Sequence, residues 1–271
     1  MKLSIITINF NNREGLEKTF DSVVSQTFKD FEWIVIDGGS TDGSKELIEQ
    51  YDEYFSYWVS EPDNGIYNAM NKGIKQAHGE YLQFLNSGDW FYDKNSLMRC
   101  FQHEFNADIV YGDLYFVKEN GELELSSYPQ QLTIHFLYHF SLGHNASFIK
   151  LDLIQNDPYD EQYTIVSDWK FFLKQALAGS TFEHIGEVIT CFDTTGISSC
   201  NEGLIQEERN RAIKELIPET LIHDFNLIDK LQTTLNKDQV KKVLKYGSKK
   251  RIYHKLITGA IAFIEFLDKH F

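Results

Sequence analysis

The sequence predicts an α/β protein: a mostly parallel sheet flanked by helices, followed by a C-terminal helical appendage. Three observations point there. Over the first ninety residues, short apolar runs alternate with amphipathic helix patterns. The apolar runs are continuous rather than alternating, as in strands covered on both faces. Near Asn201 the strand patterns stop and only helical ones continue. Residues 1–200 therefore read as one domain and residues 201–271 as a helical C-terminal region. A length of 271 residues and a hydrophobic share of 42% suit one large domain with an appendage.

Leu3–Ile8 reads as a buried strand, and Arg13–Gln26 as a helix with Leu16, Phe20, Val23 and Val24 on one face. Phe31–Ile36 is a second strand, rich in β-branched and aromatic residues. Asp37-Gly38-Gly39-Ser40 is turn chemistry, and Ser40 or Thr41 suits the cap of the next helix, with Asp42 in its first turn. Phe55–Val59 reads as a third strand, Asn68–Gln76 as a helix and Glu80–Leu85 as a fourth strand. Right-handed crossovers between them are expected. Beyond Asp89, Asp108–Val117 and Glu122–Ser126 form a hairpin pattern around Glu119-Asn120-Gly121. Leu132–His139 reads as a short helix, Val166–Ala178 as a helix ending at Gly179, and Thr181–Cys191 as a strand. From Glu202 the pattern is helical, broken near Pro218 and Gly247.

The overall charge of −14 is unevenly spread. Residues 237–271 hold nine Lys/Arg against three Asp/Glu, a net of +6, which leaves −20 for residues 1–236. So acidic a body argues against nucleic acid as a partner, because phosphate backbones need a basic footprint, and the basic tail is a separate question. Cys100, Cys191 and Cys200 form no metal-ligand or CxxC spacing and fit a reducing compartment. No run approaches the ~20 apolar residues of a membrane span, and the N-terminal segment lacks signal-peptide features, so a cytoplasmic location is expected. In the basic tail, Ile252, Leu256, Ile257, Ala260, Phe263, Ile264 and Leu267 fall on one helical face. Such a helix suits either peripheral contact with the inner face of the cytoplasmic membrane or packing on the catalytic domain or a second subunit.

Four polar clusters follow predicted strands or open predicted helices, and ligands of open α/β sheets bind outside the carboxyl ends of the strands. Asp37 is either a turn former or an acceptor for a nucleobase or ribose group. Asp89, in Asn86-Ser87-Gly88-Asp89, is either a turn cap or a ligand for Mg²⁺ or Mn²⁺, which take oxygen donors and need few protein carboxylates beside substrate phosphates. The run Glu61 to Gly73 opens a helix; it is either a cap with a polar face or an anion site with Lys72 as counter-charge. Asp168, in Ser167-Asp168-Trp169-Lys170, is either an N-cap or a general base beside an apolar Trp169 wall that raises its pKa. No GxGxxG or GxxxxGK[ST] loop is present.

Taken together, these segments resemble glycosyltransferase family 2, the large inverting family with a GT-A (Rossmann-like) fold. The likeness covers about the first 200 residues. It rests on Ser4-Ile5-Ile6-Thr7-Ile8-Asn9-Phe10-Asn11, Trp33 to Ser44 with Asp37-Gly38-Gly39-Ser40-Thr41-Asp42, the run Glu61 to Gly73, and Gly79 to Asp89. The last two are similar to a bacterial subgroup that builds exopolysaccharide and O-antigen repeats, with colanic-acid-type members. The resemblance implies transfer of a hexosyl or N-acetylhexosaminyl group from a nucleotide-diphosphate sugar, UDP-linked, to a saccharide or lipid-linked acceptor, with inversion and a divalent Mn or Mg ion. It implies that Asp168 deprotonates the acceptor, that Asp89 bridges metal and diphosphate, and that Asp37 binds the base beside Ile8, Asn9 and Phe10. Further donor contacts fall on Asn64, Tyr67, Asn71, Lys72, Asn86 and Ser87, with Asp113 reaching sugar hydroxyls. His144, in Gly143-His144-Asn145-Ala146-Ser147-Phe148, is either structural or a hydrogen-bonding group of the substrate site. Asp193 to Ser198 resembles a loop that closes over the donor. Two departures stand out: Asn86 and Gly88 occupy positions often acidic in the family, and Met70 replaces a frequent phosphate-contacting Arg. The thinned acid cluster also fits a non-catalytic nucleotide-sugar-binding protein.

Overall fold

A computed structural model describes residues 1–118, 120–194, 201–237 and 241. Contacts divide the chain into two compact units, residues 1–215 and 216–271. The first unit thus runs one helix beyond the break expected at residue 201.

Among the described residues its centre is a nine-stranded sheet ordered β3-β2-β1-β4-β8-β6-β9-β5, with β7 pairing on β6. The strands are β1 (Leu3–Asn9), β2 (Phe31–Asp37), β3 (Tyr57–Ser60), β4 (Tyr81–Phe84), β5 (Trp90–Phe91), β6 (Ile109–Val117), β7 (Leu123–Ser126), β8 (Ser147–Lys150) and β9 (Phe182–Asp193). The first four are parallel, with β1, β2 and β4 buried on both faces and the edge strand β3 part-buried. β8 runs antiparallel to both β4 and β6, while β6 and β9 are parallel. The hairpin is present as β6 and β7, although Glu119 in its turn lies outside the described residues.

The helices of this unit are α1 (Arg13–Val24), α2 (Ser44–Gln50), α3 (Ile66–Gln76), α4 (Ser96–Cys100), α5 (Ile134–His139), α6 (Leu151–Asn156), α7 (Ser167–Ala178) and α8 (Glu202–Leu216). α1 presents Leu16, Phe20 and Val23 to a core that includes Leu3, Ile5 and Trp33. α7 ends at Gly179 in a left-handed conformation, φ 89°, where glycine carries no Cβ penalty. The expected capping of α2 is not seen. The helix starts at Ser44, and Asp42 accepts from both the Ser44 amide and its hydroxyl, while Ser40 is drawn to Asp37.

In the second unit, α9 (Glu219–Leu235) follows Pro218, which breaks the helix as expected. It buries Phe225 and exposes Leu227, Ile228, Leu231 and Leu235. Among the described residues no helix is long and apolar enough to cross a membrane. The break near Gly247 and the basic amphipathic stretch lie outside the described residues.

Candidate active site

Parallel register brings the ends of β1, β2 and β4 to one edge. Asn9 pairs with Asp37 across β1 and β2, and Ile6 pairs with Phe84 across β1 and β4. The segments that follow, Phe10–Asn12, Gly38–Ser40 and Leu85–Asp89, therefore meet. Because β8 is antiparallel to β4, it begins where β4 ends, and the 3-10 turn His144–Ala146 sits beside Asn86. α7 opens at the same place with Asp168 in its first turn.

Asp37 is fully buried. Its carboxylate accepts from Asn9 Nδ2 (2.7 Å), Ser40 Oγ (2.6 Å), the Ser40 amide (2.9 Å) and Ser60 Oγ (2.6 Å). Burial alone would raise its pKa, but the hydrogen bonds from Ser40, Ser60 and Asn9 hold it below the usual carboxylate value. Four donors use the four lone-pair sites of a carboxylate, so Asp37 ties the ends of β1 and β3 to the Gly38–Ser40 turn and has no acceptor site left for a base. Ile8 is buried and its carbonyl accepts the Ser87 amide, whereas Phe10 is 63% exposed beside Gly38.

Asp89 is buried at the end of Asn86–Asp89. Asn145 Nδ2 donates to Oδ2 and the Asp193 amide to Oδ1, each at 3.0 Å. Burial pushes its pKa up to about 7, opposed by nearby His144 and by these two donors, and reinforced by the Asp193 carboxylate. The loop is held from α1: Thr19 Oγ1 donates to the Asp89 carbonyl and accepts from the Gly88 amide, while Asn12 Nδ2 donates to the Ser87 carbonyl. The donor set fits a hard divalent cation. Each Asp89 oxygen keeps one lone pair, and the Asp193 carboxylate adds charge where Asn86 and Gly88 supply none. Thr195 to Ser198 of the expected closing loop lie outside the described residues.

His144 stands between the two acids. Its Nε2 lies 3.1 Å from Asn86 Nδ2 and its Nδ1 3.2 Å from Asp168 Oδ2. Burial lowers the imidazole pKa, but the hydrogen bond and charge of Asp168, with the charge of Asp89, raise it above its ordinary value. Asn86 Oδ1 is buried without a partner, and turning that amide would let it accept from an imidazolium Nε2–H.

Asp168 Oδ1 accepts from Tyr67 Oη (2.9 Å) and the Trp169 amide (2.8 Å). With His144 on Oδ2, one acceptor site remains on that oxygen. The capping alternative is not seen: Val166 holds the N-cap position, and Glu208 of α8 accepts the amides of Thr164, Ile165 and Val166 ahead of the helix. Trp169 is no bare apolar wall. Its indole N–H donates to the Leu137 carbonyl, and the Arg209 guanidinium lies 4.2 Å over the ring.

Several residues expected to touch the donor are engaged with other groups of the protein. Tyr67 is buried with its hydroxyl on Asp168 and the Ile165 carbonyl. Asn71 donates to the Tyr159 carbonyl and Glu161 and accepts the Tyr159 amide. Lys72 pairs with Glu61 at 2.7 Å. Asp113 accepts from His184 and the Tyr128 amide. Asn64 is exposed and Ser87 half-buried at the rim. Sequence reasoning missed Thr19 and Glu208, which nothing in their local patterns separates from helix-face residues, and it named Asn145 only within the Gly143–Phe148 run, without its bond to Asp89.

A family model described as "Glycosyl transferase family 2" matches residues 4–153. An uncharacterized glycosyltransferase of Mycobacterium tuberculosis is 34% identical over 207 residues, covering 74% of this chain and 78% of that protein. A PGL/p-HBAD biosynthesis glycosyltransferase of Mycobacterium bovis is 30% identical over 183 residues, covering 63% and 68%. Among solved structures, Staphylococcus aureus TarS 1–349 in complex with UDP-GlcNAc aligns with a TM-score of 0.63 at 18% identity, covering 80% of this chain and 65% of that one. The mannosyltransferase PcManGT of Pyrobaculum calidifontis, in complex with GDP-Man and Mn²⁺, aligns at 0.57 with 13% identity, covering 95% and 83%. The match thus spans just under two thirds of that TarS chain. At these identities the structural likeness concerns the fold, which is of the GT-A type.

Proposed function

This chain belongs to glycosyl transferase family 2, and we propose on that premise that it moves a sugar, with inversion, from a UDP-linked donor to a saccharide or lipid-linked acceptor. The observation that carries the reading is the single imidazole of His144, set between the Asp89 loop and Asp168. On this reading Asp89 is the cation-binding carboxylate and Asp168 the oriented base, one on either side of that imidazole. The side chains of His144 and Asp168 are 15% and 18% exposed, open enough to meet a hydroxyl yet largely shielded from water.

Asp89 would hold a divalent Mn or Mg ion, which supplies charge stabilisation for the leaving diphosphate. Asp168 takes the proton of the acceptor hydroxyl on its free Oδ2 site as the acceptor oxygen bonds to the anomeric carbon. The bond from that carbon to the diphosphate oxygen breaks on the opposite face, so its configuration inverts. Tyr67 and the Trp169 amide fix the carboxylate from the other side. The sugar is a hexosyl or N-acetylhexosaminyl group and the product an envelope or exopolysaccharide of the O-antigen or colanic-acid type. Support for these finer points is the likeness of Glu61 to Gly73 and Gly79 to Asp89 to that subgroup, together with the biosynthetic names of mycobacterial relatives. The basic stretch 237–271 would bring the enzyme to an anionic membrane or to a second copy.

Asp168→Asn should abolish turnover of UDP-sugars, including slow hydrolysis, while UDP binding by calorimetry stays within about twofold of wild type. If the wild-type protein binds UDP-sugars but neither transfers nor hydrolyses any across an acceptor panel, it is a binding protein instead.

A further inference from the structure

The carboxylate that reads the donor's base has to be sought elsewhere than Asp37, whose four acceptor sites are filled. A Cβ placed on Gly38 would lie 2.6 Å from Asp63 Oδ2 and 3.1 Å from the Phe10 ring. Asp63 has therefore moved into the space beside Phe10 that a side chain at position 38 would fill. Its Oδ1 accepts the Gly65 amide at 2.9 Å, which anchors the group. Its Oδ2 has no hydrogen-bond partner among the described residues. Phe10, 63% exposed, is the most exposed large hydrophobic side chain among them. An exposed aromatic face beside an open carboxylate oxygen, at the carboxyl ends of parallel strands, suits a flat ring carrying an N–H on its edge.

We propose that Asp63 is the base-specificity residue of the donor site: uracil stacks on Phe10 and donates its ring N3–H to Asp63 Oδ2. The proposal rests on the nucleotide-sugar reading above. Uracil offers a donor at that ring position. Cytosine offers a bare lone pair, which a carboxylate repels. Gly38 is the complement of Asp63, since its missing Cβ leaves the room the carboxylate occupies.

Asp63→Asn keeps an oxygen for the Gly65 amide, so the turn should persist and the melting temperature without ligand should stay that of wild type. Titration calorimetry with UDP and CDP, in Mn²⁺, tests the assignment. Wild type should favour UDP over CDP by about tenfold or more, the scale of one charge-assisted hydrogen bond. Asp63→Asn should weaken UDP by a similar factor and narrow or invert the preference, because an amide N–H can donate to cytosine N3. Gly38→Ala, whose Cβ would displace the carboxylate, should weaken UDP as well. UDP affinity and a UDP-to-CDP ratio in Asp63→Asn within about twofold of wild type would overturn the proposal and leave the donor reading standing. Wild-type protein that binds neither nucleotide would bring down both.

Discussion

His144 and Asp168 form a part-buried pair, Nδ1 to Oδ2 at 3.2 Å, at the meeting of a 3-10 turn and the first turn of α7. The pair, with Tyr67 and the Trp169 amide on the other oxygen, fixes the orientation of the Asp168 carboxylate. His144→Gln should lower kcat by about 10- to 100-fold, the scale of a lost positioning contact, with a smaller change in donor KM. The raised imidazole pKa sets a sign for stability. A histidine whose folded pKa exceeds the unfolded value of about 6.5 contributes fully below that pH. Its contribution fades as pH rises through the folded value. Urea midpoints from pH 6 to 9 should show this fall in wild type and a flatter profile in His144→Gln.

Asp89, pushed up to about 7 by burial, behaves in the same direction for a different reason. Its folded pKa lies above the unfolded value of about 3.9, so the metal-free protein loses this contribution as pH rises through about 7. A divalent ion competes with that proton. Thermal shifts with Mn²⁺ should be larger at pH 8 than at pH 6. Asp89→Asn should abolish the shift and reduce transfer by more than about 100-fold, on the scale of lost transition-state charge stabilisation. An equal Mn²⁺ shift in the variant would show that the ion sits elsewhere.

These contrasts mark what the sequence could show. β1, β2 and β4 were legible because burial on both faces makes their runs largely apolar, the part-buried edge strand β3 through its aromatic and β-branched residues, and the α7 stop because Gly179 is glycine. β5, two residues long, and α4 and α6, of five and six residues, carry too few residues for any period. Tyr67 and Asn71 were expected as donor contacts because the run Glu61 to Gly73 resembles the family's. Their partners lie in Tyr159–Asp168, between 88 and 101 residues away, and no local pattern encodes that pairing. Asp37 was found as a key acid, but its enclosure by Asn9, Ser40 and Ser60 depends on strand register.

Glu208 extends the same lesson to stability. It is 4% exposed, on a helix whose acids otherwise read as a solvated face, and it takes three successive backbone amides before α7. Glu208→Ala leaves those donors unsatisfied and should cost on the order of 3 kcal/mol in urea unfolding. Glu208→Gln retains one oxygen and should cost less. Since Asp168 follows two residues after Val166, turnover in Glu208→Gln should fall more than UDP affinity does.

Gly79 tests how tightly β4 is set against β1. A Cβ there would lie 2.6 Å from the Ser4 amide nitrogen and 2.7 Å from the Leu3 carbonyl carbon, both backbone atoms of the central strand. Neither can yield without disturbing the β1–β4 ladder. Moving Ser4 would also break its Oγ contacts, to the Gly79 amide at 2.8 Å and to the buried Glu32 at 2.6 Å. Gly79→Ala should therefore destabilise by about 3 kcal/mol, the upper end of overpacking costs. Gly203, near the start of α8, is the control, with the nearest side-chain atom 4.0 Å from its built Cβ. Gly203→Ala should leave stability unchanged or raise it by about 0.5 kcal/mol, because alanine loses less backbone entropy in a helix. Equal melting temperatures for the two variants would show that β1 and β4 are more loosely joined than their register implies.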